Sequence, residues 1–149
     1  MMTTLSQAQP LARRDRAAEV SLLRLYALRV AYLMVAALMG SQIWPLVFHH
    51  RHWDDLMHGV AVSMLAAVTA LAVLGIRYPL KMLPLLFVEI VWKTVWVLAM
   101  GLPLWQAGPM DANAADTMKA CLMGVIFLIV MPWGYVWKNY VTAAGDRWW

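Results

Sequence analysis

The sequence predicts an all-α fold, an integral membrane four-helix bundle with short loops and both termini in the cytoplasm, and three observations carry that expectation. Apolar residues make up 63% of the 149 positions, well above the roughly 45–50% usual in soluble domains. They gather into four runs, each near the length of about 20 residues that a helix needs to cross the hydrocarbon core. The lysines and arginines outside those runs fall unequally on alternate sides. Arg13, Arg14, Arg16, Arg24, Arg29, Arg77, Lys81, Lys138 and Arg147 share one side, and only Arg51 and Lys119 stand on the other. Positive charge accumulates at the cytoplasmic face, so the first group marks that side.

Residues 1–29 read as a cytoplasmic segment, a polar run from Thr3 to Pro10 followed by a short interfacial helix whose Arg24 and Arg29 snorkel back to the headgroups. The transmembrane domain is expected over 30–137. Its first span, about 30–48, carries Pro45 in its last turn; the run is long for the apolar core of a signal peptide and is expected to stay uncleaved. The second span, about 56–75, begins where Asp54 or Asp55 can cap a helix. A turn with Arg77, Pro79 and Lys81 leads to the third span, about 83–104, with Pro84 in its first turn, where a missing N–H costs nothing. A loop holding Gly108, Pro109 and Asp111 precedes the fourth span, about 118–137, expected to bend near Pro132 and Gly134. Residues 138–149 form a cytoplasmic tail. Tyr26, Tyr78, Trp133, Trp137 and Tyr140 lie at the cytoplasmic interface and Trp44, Trp53 and Trp105 at the outer one, as aromatic belts do. The expected location is the plasma membrane, specifically a bacterial inner membrane.

Several function classes drop out. A single cysteine, Cys121, excludes an intrachain disulfide, a dithiol redox pair and a cysteine-based zinc site. The basic residues sit at membrane ends and no nucleic-acid motif accompanies them, so the high isoelectric point implies no nucleic-acid partner. No G-x-S-x-G, phosphate-binding loop, dinucleotide fingerprint or catalytic carboxylate pair is present, which leans away from an enzyme without deciding it for a membrane protein. Size and span number invite comparison with small multidrug exporters. Those carry a membrane-embedded glutamate in the first span, whereas here the acid lies in the third beside a lysine, so the chain is not placed among them.

The chemistry-bearing stretch is Phe87-Val88-Glu89-Ile90-Val91-Trp92-Lys93-Thr94, which sets an acid and a base inside an apolar span. Four residues apart, with the acid first, Glu89 and Lys93 share a helix face in the favourable order for an ion pair. At 1.5 Å per residue Glu89 lies roughly 10 Å and Lys93 roughly 15 Å from the cytoplasmic end. By the same arithmetic Gln42 and Ser63 lie at roughly 18 Å and Thr69 at about 9 Å. The expectation is a polar layer in which Gln42 and Ser63 satisfy Lys93 and Thr69 satisfies Glu89, as an intramembrane charge needs hydrogen bonds beyond its partner. Such a layer serves either as structural network or as a site for a proton, an ion or an amphiphile head.

Two other constellations stand out. His52, Asp54, Asp55 and His58 are sound ligands for Zn²⁺ or Cu²⁺ at the outer face, though no dedicated zinc spacing appears; otherwise no cofactor is expected. Gly59, Ser63 and Ala67 recur every four residues, and Gly40 follows Ala36 at the same spacing, a pattern that lets membrane helices approach closely. On these grounds the chain is expected to be an accessory, assembly or self-associating membrane subunit, in a homo-oligomer or a larger membrane complex. The alternatives are a small transporter or amphiphile-binding protein using Glu89 and Lys93, and an outer-face metal binder.

Overall fold

The computed structural model describes residues 20–49, 56–143 and 145. Among them there is no strand, and four helices are long and apolar enough to cross a membrane: α1 (Leu22–His49), α2 (Leu56–Arg77), α3 (Leu83–Ala107) and α4 (Ala112–Val130). A short helix, α5 (Trp133–Val136), follows and ends in a wider π turn at Trp137–Val141.

The ends of the helices follow from local chemistry. α1 starts at Leu22 rather than near residue 30, because the Ser21 side chain accepts a hydrogen bond from the Arg24 N–H and caps one continuous helix. Pro45 is carried inside α1. α3 widens into a π turn at Val97–Gly101 just before Pro103; Ala99, whose carbonyl the proline ring would meet in an α-helical register, lies inside that turn. α4 starts at Ala112 because Asp111 accepts from the Ala114 N–H at 2.8 Å. It stops at Val130, short of residue 137. Met131 takes an extended backbone with ψ of 126°, as a residue before proline tends to, and Pro132 then opens α5. The expected bend in the fourth span is therefore a break.

Packing joins the four helices at one end and separates them at the other. At the end where α1 begins, Leu28 and Tyr32 of α1, Ala72 of α2, Leu86 of α3, Phe127 of α4 and Val136 of α5 form one buried core. Further along, Ile43 of α1 packs only with Val62 and Ala66 of α2, while the π turn of α3 meets the first half of α4. Among the described residues the molecule is thus a bundle at one end that divides into an α1–α2 hairpin and an α3–α4 hairpin at the other.

Gly75 makes a close contact of the core, and Gly40 an ordinary one beside it. A Cβ on Gly75 would clash with the Tyr32 ring, at Cδ1 first, so α1 and α2 cross where only hydrogen fits. Tyr32 is fully buried, and its hydroxyl donates to the Pro79 carbonyl at 3.0 Å, pinning α1 to the turn between α2 and α3. Gly40 is buried with Thr69 of α2 nearby, a Cβ there lying 3.8 Å from the Thr69 Cβ.

Candidate functional site

α3 turns one stripe inward, on which Leu83, Leu86, Glu89, Lys93 and Gly101 are buried at helical spacing. Glu89 is fully buried and Lys93 is 7% exposed. The Lys93 ammonium donates to Glu89 Oε2 within the same helix, so the pair that the spacing predicted forms inside the bundle. The lysine is also held by aromatic faces. Its Nζ lies 4.1 Å from the Trp92 ring centroid and 5.8 Å from that of Phe127 on α4, positions at which a ring quadrupole attracts a cation.

Gly124 makes room for that arrangement. A Cβ there would stand 2.5 Å from Lys93 Cδ and 3.3 Å from Cε, so the lysine stem fills the space a larger residue would occupy. α4 turns at this glycine, its N–H donating to the Cys121 carbonyl at 2.9 Å. Between α3 and α4 lies a cavity of about 140 Å³, with Lys93, Thr94, Cys121 and Gly124 in a mostly apolar lining.

No protein-family model, curated protein or solved structure matches this chain. What the site can do follows from its own chemistry. Among the described residues, Glu89 Oε1 and Trp92 Nε1 are the buried side-chain polar atoms with no hydrogen-bond partner. One is an acceptor and the other a donor, both beside the same ammonium group, and buried polar atoms in folded proteins ordinarily find a partner.

The rest of the expected polar layer does not assemble. Thr69 is buried, but its hydroxyl donates to the Ala66 carbonyl at 2.8 Å and leaves Glu89 Oε1 unmet. Ser63 is exposed and donates to the Gly59 carbonyl at 2.9 Å. Gln42 is exposed on α1. Depth along each helix agreed with a shared layer; rotation about the helix axes did not, because in an all-apolar span the sequence marks no inward face. The residues that do meet Lys93 are Trp92, Phe127 and Gly124. Only the last left a sequence signal, as the lone glycine in the apolar run from Ala120 to Met131.

Of the proposed metal ligands, His52, Asp54 and Asp55 lie outside the described residues, and His58 stands exposed in the first turns of α2. No group of three or more metal-ligating side chains occurs among the described residues. Gly59, Ser63 and Ala67 share the outer side of α2, lining a shallow groove with Leu56, Val60 and Met64. Within the bundle the closest approaches are made instead at Gly75 and Gly124, and a Cβ on Gly40 would meet its neighbours only at ordinary contact distance.

Proposed function

We propose that this protein is a non-catalytic subunit of a membrane assembly that associates through α2, with itself or with a larger membrane partner. The observation that carries this reading is the groove of Gly59, Ser63 and Ala67 on the outer face of α2. Small residues at this spacing admit another helix closely, and the packing of the described residues leaves them unused. The test is partner or oligomer recovery from native membranes at low detergent. Gly59→Leu and Ala67→Leu are each expected to reduce recovery while membrane insertion is kept; unchanged recovery in both variants assigns that face to lipid.

A second reading rests on Glu89 Oε1 and the cavity beside Lys93: a small transporter or amphiphile-binding protein in which a bound proton or polar head meets the unpartnered carboxylate oxygen. The variant carrying both Glu89→Gln and Lys93→Met separates the two. The first reading expects it to fold and recover the partner as the unmodified protein does. The second expects a folded protein that no longer retains a small molecule or moves protons. The cytoplasmic position of both termini and the inner-membrane location belong to the same proposal, supported by the distribution of basic residues.

A further inference from the structure

We infer that the turn between α2 and α3 binds the phosphate headgroup of an anionic phospholipid. The turn reads Arg77-Tyr78-Pro79-Leu80-Lys81. Arg77 Cζ lies 5.7 Å and Lys81 Nζ 5.8 Å from the centroid of the Tyr78 ring. Two exposed cations therefore lie against one half-exposed ring at the same turn. No described acid offsets them. Glu89 is bonded to Lys93 inside the bundle, Asp111 caps α4, and Asp116 pairs with Lys119; the last two belong to the opposite end of the helices.

The backbone that carries the two charges is also held in place. The buried Tyr32 hydroxyl grips the Pro79 carbonyl, and the Tyr78 carbonyl accepts from the Lys81 and Met82 N–H groups at 3.1 and 3.2 Å. Two like charges on a fixed turn, with no acid beside them among the described residues, offer an anion site, and a phosphate supplies both charge and acceptor oxygens. A lipid is favoured over a free anion by what lies beneath. Leu71 and Leu74, 44% and 50% exposed, continue the face of α2 that carries Arg77 at spacings of three residues. A headgroup on the turn thus places an acyl chain along an apolar stripe, whereas free phosphate makes no use of it.

The test uses the full chain in detergent, titrated with phosphatidylglycerol or phosphatidylcholine and read by native mass spectrometry. The unmodified protein is expected to retain phosphatidylglycerol in preference. Arg77→Gln with Lys81→Gln should weaken phosphatidylglycerol retention roughly 30-fold, the change expected when two basic residues are removed from an anionic surface, and leave phosphatidylcholine unaffected. Arg77→Lys with Lys81→Arg should keep the preference, as should Lys119→Gln at the far end. If the double glutamine variant loses helicity, Lys81→Gln alone carries the test, with an expected loss of roughly fivefold. Equal retention of the two lipids by the unmodified protein, or undiminished retention in the glutamine variants, overturns the inference. So does displacement of phosphatidylglycerol by an equal concentration of inorganic phosphate, which would make the site one for a soluble anion.

Discussion

At the scale of single residues the molecule turns on Lys93, whose ammonium is bonded to Glu89 and whose stem occupies the space above Gly124. Removing one member of a buried pair strands the other charge, which typically costs about 3–5 kcal/mol. Glu89→Gln and Lys93→Met alone should each lower unfolding stability in detergent by that order, and the two together should recover much of it. A double variant no more stable than either single one would mean that the pair does not act as a unit. Gly124→Ala should cost about 1–3 kcal/mol by overpacking, measured by the same unfolding. Its effect should shrink when Lys93→Ala has already removed the stem. Additive losses would place Gly124 outside the lysine's space.

For whole helices, the question is which small residues hold α2 in the bundle and which face away from it. Gly75 meets Tyr32, while Gly59 and Ala67 line an outer groove. Gly75→Leu is accordingly expected to disrupt the α1–α2 crossing and lower thermal stability of the isolated protein. Gly59→Leu should leave that stability within about 0.5 kcal/mol, as surface substitutions usually do. Equal destabilisation by the two would mean that the groove is closed by the protein itself. Asp111 and Pro132 both act through neighbours in sequence, yet the sequence led to a fourth span starting near 118 and only bent at Pro132, whereas Asp111 caps α4 at Ala112 and the helix breaks after Val130. The early start of α1 was not legible either, because Arg24 and Arg29 within the first two turns resemble a segment lying outside the membrane.

For the whole molecule, the division into a joined end and two separate hairpins follows from where large apolar side chains meet: Leu28, Tyr32, Leu86 and Phe127 at one end, and Ile43 against α2 alone at the other. Arg24 and Arg29 of α1, Arg77 and Lys81 around the α2–α3 turn, and Lys138 after α5 lie at the joined end. Reporter fusions at Trp149 and in the loop near Asp111 should therefore report opposite sides of the membrane, with Trp149 in the cytoplasm. A fusion at Trp149 read on the outer side would remove the cytoplasmic assignment of the joined end.

What the sequence determined by itself is whatever depends on spacing along the chain. The number and length of the apolar runs follow from composition. The meeting of Glu89 with Lys93 follows from a four-residue separation, which brings two side chains together on any helix whatever surrounds it. Tertiary structure alone decided which side each helix turns inward. It buried Gly40, Gly75 and Gly124, left Gln42, Ser63 and Ala67 exposed, and set Phe127 rather than Gln42 beside the lysine. The physical reason is that a membrane span is apolar on every face, so contrast between an oily and a polar side, which orients helices in water, is missing. Rotation is then set by the close fit of side chains on neighbouring helices, and that fit exists only once the helices have come together.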